Sequence, residues 1–371
     1  EMSSETTRIV SLTITEKGYY RGDDAKTLDV NHPDIIHDLT SILPLSAAGY
    51  IVRALDIRRK RGLRPFTVLS LDNLPENGRV IESIVKDLAA LIDTELAEWI
   101  ASECTFPSTM VDRIVPATTK AAVARLEAKT GIFDPAVVMH EPFRQWVIED
   151  RFVDGVRPDL TAAGAQLVED VKPFEHMKLR MLNGTHSAMA YIGNLAGHVT
   201  VSDAISDPVI EAFLTAMWHD EIIPSLRAPE GVDLANYATD LGDRYRNPEI
   251  RHLLDQIAMD GSQKLPQRIL DPLFENLKSG KPYAKMLTIV AAWIRFLAMR
   301  SELGKIDDPF ATQLLDAVQG PIEDARLVRN VLDLDFVFKG YPTNQITDDL
   351  IAMYRGSSPQ NNEKYMKKVL S

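Results

Sequence analysis

The sequence predicts an α/β region followed by an all-α region, and three observations carry that prediction. Two β-branched, apolar runs, RIVSLTIT at 8–15 and PFTVLSL at 65–71, each end in polar residues and read as buried strands, paired in parallel. Helical patterns stand between and after them, at 45–60 and 79–103. From Lys172 onward helical segments follow one another, broken by Pro, Gly or Asn-Pro.

Taken in order, the helix at 79–103 places Ile81, Ile84, Val85, Leu88, Leu91, Ile92 and Trp99 on one face. VVMHE (137–141), QWVIE (145–149) and AQLVED (165–170) are further strand candidates. Pro173 suits a helix N1 position, and helices are expected over 174–195, 207–223, 233–246, 249–258, 266–278, 284–302 and 308–334. The expected division is therefore 1–171, then a helical domain over 172–353, then a polar, solvated tail over 354–371.

The 371 residues are enough for two domains. With 41 Lys+Arg against 53 Asp+Glu, the net charge of -12 offers no broad cationic surface, which argues against a nucleic-acid partner. Cys104 is the single cysteine, so neither an internal disulfide nor a cysteine-built zinc site can form, and a reducing cytoplasm fits. No apolar run has the length of a membrane span, and EMSSETTRIV lacks the form of a signal peptide.

The stretch KLRMLNGTH places Lys178, Asn183 and His186 at spacings of five and three. On an α-helix these fall within a sector of about 140° and can meet one small ligand. As an arbitrary triplet they would read as a surface lysine, a cap and a satisfied core histidine. Met181, Leu182, Ala188, Met189 and Ile192 make the helix largely apolar, however, and three buried polar groups need partners. A buried lysine is more readily deprotonated and can exchange protons near neutrality, while an amide and an imidazole can donate to a developing alkoxide. The set suits oxidation of a secondary alcohol, with Lys178 taking the hydroxyl proton and Glu175, one turn earlier, passing it to solvent.

K-x4-N-x2-H resembles the catalytic signature of the polyol-specific long-chain dehydrogenases, the mannitol dehydrogenase family. The resemblance runs over almost the whole chain, through TITEKGYY (13–20), LDNLPENG (71–78), FPSTMVDRIVP (106–116), EPFRQWVIED (141–150) and DGSQKLPQR (260–268). It implies a zinc-independent, NAD-linked dehydrogenase with part of a Rossmann-type cofactor domain before a helical substrate domain. It also implies roles: Lys178 as general acid/base, Asn73 and Asn183 polarising the substrate oxygen, His186 orienting the substrate and Glu175 gating a proton path. Asp112, Lys264 and Arg268 are expected at the substrate, and Glu16 and Asn73 at the cofactor. Read without the family, Asp112 and Lys264 would be exposed loop charges.

No GxGxxG turn occurs in the sequence. The expectation is that roughly a hundred upstream residues, one mononucleotide-binding half, would carry it together with the acidic residue that chooses NADH over NADPH. Their loss would expose a sheet edge near 8–15 and leave NAD binding by this chain open. Within the family, DGSQKLPQR looks most like the fructuronate reductases (D-mannonate oxidoreductases), with Lys264 and Arg268 as cations for a carboxylate. Gln256 or Gln267 would serve a neutral hexitol equally, so mannitol 2-dehydrogenase and tagaturonate reductase stay open. Two other classes stand beside these: a metal enzyme using His219, Asp220, Glu221 and His198, disfavoured because adjacent helical residues diverge by about 100°, and a non-catalytic sugar-acid-binding remnant. A monomer acting on a small sugar acid or polyol is the expected assembly.

Overall fold

The two β-branched runs pair in parallel, β1 (Ile9–Leu12) against β2 (Thr67–Ser70), with Ile9 opposite Thr67 and Leu12 opposite Ser70. The structure, a computed structural model, describes residues 1–22 and 27–356. Two units divide it, one of Glu1–Arg113 and Pro142–Glu175, the other of Ile114–Glu141 and the residues from His176 on.

In the first unit β1 is shorter than expected for a stated reason. The backbone N–H groups of Ile14 and Thr15 turn away to the Asp72 carboxylate, at 3.0 and 2.9 Å, and Thr15 takes a left-handed φ of 60°. Asp72 also accepts from the Tyr19 hydroxyl at 2.7 Å, so one buried carboxylate shapes the loop beyond β1.

Helices α1 (Pro33–Thr40) and α2 (Ala47–Lys60) follow β1, and the second starts where the Ser46 hydroxyl accepts from the Gly49 N–H. The helix expected at 79–103 is two, α3 (Asn77–Ile92) and α4 (Thr94–Glu103). Asp93 parts them: extended at φ -160°, it caps α4 by accepting from the N–H groups of Glu95 and Leu96. Ile81, Ile84, Val85 and Leu88 are fully buried in one core with Leu55, Phe66 and Val68. Leu91 and Ile92, in the last turn of α3, stand exposed instead.

A second sheet has the order β3 (Thr109–Asp112), β4 (Gln145–Glu149), β5 (Gln166–Val168), with an antiparallel and then a parallel pair. β4 and β5 fall on expected strands, whereas β3 lies in a segment read as loop. The 137–141 strand does not form. That segment lies with the second unit, where the buried Glu141 carboxylate holds the Ile114 N–H at 2.6 Å and the Arg244 guanidinium at 2.8 and 3.0 Å.

The chain therefore enters the second unit twice, which the expected division at 171 misses; the later entry falls after Glu175, inside α6 (Lys172–Met177). The earlier entry contributes α5 (Lys120–Thr130), also unforeseen. Beyond α6 come α7 (Gly184–Leu195), α8 (Val201–Ile205), α9 (Pro208–Met217), α10 (Leu234–Tyr245), α11 (Leu254–Ala258) and α12 (Gly261–Leu265). They are followed by α13 (Asp271–Lys278), the long buried α14 (Ala284–Glu302), α15 (Ala311–Val318), α16 (Asp324–Leu332), α17 (Asp335–Phe338) and α18 (Thr347–Gly356). The expected helix at 308–334 is split around Gly320, and the one at 249–258 is confined to α11.

The expected tail begins too early. Tyr354 is buried in α18 beneath the Arg295 guanidinium, 3.8 Å from its ring centre, while 357–371 lie outside the described residues. Among the described residues no helix is long and apolar enough to cross a membrane.

Candidate active site

Between α6 and α7 the backbone widens into a π-helical segment, Lys178–Asn183. Such a turn closes i→i+5 rather than i→i+4 and frees carbonyls from the ordinary ladder. Other elements of the second unit take them up. The Met181 carbonyl accepts from the Thr185 hydroxyl, which in turn accepts from the Trp218 indole N–H at 2.7 Å. Leu182 O accepts from the Tyr245 hydroxyl at 3.0 Å, and Asn183 O faces the Arg268 guanidinium at 3.5 Å.

The wide turn also changes the expected angular spread. In an i→i+5 ladder residue i stacks close to residue i+5, so Lys178 and Asn183 share a face more nearly than α-helical geometry implies. Lys178 and His186 are both buried, at 8% and 6% exposure, and Asn183 is half-buried.

His186 lies among several charged groups of this unit. Burial holds its imidazole well below the usual value near 6.5, and the charges of His252, Arg268, Arg244 and Lys178 act in the same direction. Its Nε2 is buried and makes no hydrogen bond to the protein. Tyr245 packs against the ring at 5.0 Å and His252 meets it edge-on at 5.3 Å. Arg268 stands close by, with its guanidinium 3.2 Å from the Ser187 hydroxyl. Lys178, Asn183, His186 and Arg268 thus come together in one unit.

Lys264 is placed differently from a bare pocket cation. Its ammonium donates to the Met259 carbonyl at 2.6 Å and lies 3.8 Å from Asp260, securing the turn after α11. Its charge also helps hold His252 below the usual imidazole value, after burial.

The remaining expected site residues belong to the first unit. Glu16 and Asn73 are exposed, just beyond the C-terminal ends of β1 and β2, and Asp112 is buried at the end of β3. The loop bearing Asn73 is fixed by the fully buried Asn77, whose amide donates to Asp72 O at 2.9 Å and Thr109 O at 3.1 Å. Gly78 is required there, because a Cβ would lie 2.6 Å from the backbone of Phe106 and Pro107. Glu175 accepts from the Glu76 N–H at 3.0 Å, and burial pushes its carboxyl up to about 7.

The WHDE segment has structural work to do. The Glu221 carboxylate accepts from the N–H groups of Lys285 and Met286, at 2.7 and 2.9 Å, and Asp220 pairs with the Lys285 ammonium. Among the described residues no group of three or more His, Cys, Asp or Glu is placed to hold a metal ion.

Comparison with known proteins decides the family. Residues 2–162 match the mannitol dehydrogenase Rossmann domain and residues 170–354 the mannitol dehydrogenase C-terminal domain. The chain belongs to the mannitol dehydrogenase family. It is a family oxidoreductase with a Rossmann-type domain and a helical C-terminal domain. D-mannonate oxidoreductase of Escherichia coli (strain K12) is 47% identical over 340 residues, which span 91% of this chain and 70% of that protein. A mannitol 2-dehydrogenase of Pyrenophora tritici-repentis is 39% identical, over 88% of this chain and 59% of its own length. Pseudomonas fluorescens mannitol 2-dehydrogenase, solved as a ternary complex with NAD and D-mannitol, covers all of this chain and 75% of its own, with a TM-score of 0.82 and 35% identity.

Sequence reasoning within the family missed His252, Tyr245 and Arg244. Each lies outside the blocks that carry the resemblance, and only the packing of α10 and of the residues before α11 brings them to His186.

Proposed function

We propose that the chain interconverts D-mannonate and D-fructuronate with NAD as hydride partner. The observation that carries this reading is the place of Arg268 beside the Lys178, Asn183 and His186 set: its guanidinium lies 3.5 Å from Asn183 O and 3.2 Å from the Ser187 hydroxyl, and its charge adds to burial in disfavouring a proton on His186. A carboxylate is favoured in such surroundings, and a neutral hexitol gains less. The 47% identity to a D-mannonate oxidoreductase supports the same choice.

In the proposed mechanism the carbinol carbon gives up a hydride, and the amine of Lys178 takes the hydroxyl proton. Asn183 and Asn73 donate to the oxygen as its charge develops. His186, kept neutral, orients the substrate through hydrogen bonds rather than charge. Arg268, Lys264 and Asp112 bind the polar substituents. Glu175, carrying a raised affinity for protons, relays the released proton to solvent.

NAD, when bound, supplies the hydride acceptor. Glu16 and Asn73 fit that group by position, since ligands of parallel sheets sit beyond the carboxyl ends of the strands, where both residues stand exposed. No metal is needed in this scheme, and the cytoplasm is its proposed setting, where the thiol of Cys104, pushed up to about 12 by burial, stays inert.

The test is the initial rate of NADH oxidation with D-fructuronate and with D-fructose, for the chain and for Lys178→Ala. Fructuronate turnover that falls by about 10²- to 10⁴-fold on substitution is expected. A mannitol 2-dehydrogenase is the second reading, favoured by the D-mannitol complex of the Pseudomonas fluorescens relative. Fructose turnover alone would establish it, and sugar-acid binding without turnover of either, in a protein that binds NADH, would establish a non-catalytic binding protein.

A further inference from the structure

We propose that His252 is a substrate-binding residue that reads a non-reacting hydroxyl of the substrate jointly with His186. The inference rests on the polyhydroxy-substrate reading above and adds a residue to it.

Two buried imidazole nitrogens make no hydrogen bond to the protein, Nε2 of His186 and Nδ1 of His252. Leaving such an atom unmade costs about 1–3 kcal/mol, so two in adjoining rings call for a reason. Packing does not supply one. His186 lies against Tyr245 and against the edge of His252, and phenyl rings would make those contacts with no nitrogen to satisfy.

The backbone beneath His252 is fixed on both sides. Its carbonyl accepts from Val201 N–H at 3.0 Å, its N–H donates to Ile250 O at 2.8 Å, and Thr200 bridges to Leu253 next door. The imidazole is therefore held at a set place against His186, with ring centres 5.3 Å apart and planes at 77°.

A hydroxyl is the ligand group that matches a pair of neutral imidazoles. It donates one hydrogen bond and accepts others, whereas a neutral imidazole has one donor and one acceptor nitrogen. The two unpartnered nitrogens belong to rings in contact, and a single hydroxyl is assigned to both. Burial, aided by the charges of Arg268, Arg244 and Lys178 at His186 and of Lys264 at His252, keeps both rings in the neutral form that such pairing needs. Because Lys178 takes the proton of the oxidised hydroxyl, the histidine pair is left to a neighbouring one. A site of this kind rejects the analogue that lacks the hydroxyl, since its own nitrogens are then left unpaired.

The experiment uses the full chain with NAD, D-mannonate and D-mannitol. His252→Phe keeps a ring against His186 and removes both nitrogens, while His252→Asn returns a polar atom near the position of Nδ1. His252→Phe should raise KM about tenfold, with the larger share of the loss in KM rather than kcat, and His252→Asn should recover most of it. In the unsubstituted protein, the imidazole ¹⁵N resonances of both histidines should move together when the productive sugar binds. That readout decides the matter even if His252→Phe fails to fold. A sugar that binds and shifts His186 without His252 would overturn the inference. If only D-mannitol binds, the D-mannonate reading falls while the behaviour of His252 is still decided, and binding of neither sugar would end both.

Discussion

The imidazoles of His186 and His252 meet edge to face, 5.3 Å between ring centres, inside a unit that holds both below the ordinary imidazole value. The native state therefore resists protonation that the unfolded chain accepts. Stability contributed by the two neutral rings is fully present above about pH 6.5 and is lost as the pH falls below it, by up to about 1.4 kcal/mol per pH unit for each ring. Melting temperatures between pH 7.5 and 5 should drop, and His252→Asn should flatten that drop by removing one of the two groups.

Glu175 carries the opposite sign. Its carboxyl is raised from 4.5 to about 7 by burial, so between those values the unfolded chain releases a proton that the native chain keeps. The resulting penalty is absent below about pH 4.5, grows as the pH rises and is complete above about 7, reaching about 3 kcal/mol at most. Glu175→Gln, whose amide oxygen can still accept from the Glu76 N–H, should raise the melting temperature at pH 8 and leave it nearly unchanged at pH 4.5.

The carbonyls freed by the wide turn at Lys178–Asn183 rely on a few donors. Tyr245→Phe removes the hydroxyl from Leu182 O and should cost about 1–2 kcal/mol in denaturant unfolding, because the buried carbonyl loses its partner. The same variant should lower kcat, since the segment carries Lys178 and Asn183. Full activity in Tyr245→Phe would dissociate the turn from catalysis.

Gly78→Ala places a methyl group 2.6 Å from backbone atoms of Phe106 and Pro107, which cannot move without disturbing β3. The expected loss is about 1–3 kcal/mol or more, seen as a lower urea midpoint. Gly62→Ala makes a control of a different kind: nothing crowds that Cβ, and the only strain is its φ of +67°.

Breaking the buried pair of Glu141 and Arg244 should cost about 3–5 kcal/mol, because either partner is left as an uncompensated charge. Glu141→Gln would also weaken the link to the Ile114 N–H, loosening the 114–141 segment from the second unit. Proteolysis within that segment, faster in the variant, reports the effect.

The elements legible in the sequence are those in which local pattern and burial agree. β1, β2, β4 and β5 are β-branched and apolar runs, and α3 shows its buried stripe directly. VVMHE has the same look yet forms no strand, because what fixes it is a carboxylate meeting Arg244 far along the chain. Lys120–Thr130 was missed for the converse reason: α5 buries no residue, so it shows no apolar stripe. At the candidate site, Lys178, Asn183, His186 and Arg268 were readable from their motif blocks, and the structure groups them. His252 was not readable, since its nearness to His186 arises from a fold contact with no sequence period behind it. Lys264 looks like a pocket cation in its motif block, and its hold on the Met259 carbonyl comes with the left-handed turn at Asp260, which the sequence does not announce.

The π-helical turn amounts to an extra residue let into an α-helix. It works as a phase adjuster, setting the rotation of α6 against that of α7 independently of the length of either. Removing any one residue between Lys178 and Asn183 would return the stretch to regular α-helical pitch, with every hydrogen bond of the ladder available. It would also swing Lys178 by about 100° relative to His186. An insertion or deletion here would thus leave a sound helix that carries its amine and its imidazole on different sides, a lesion of direction more than of stability.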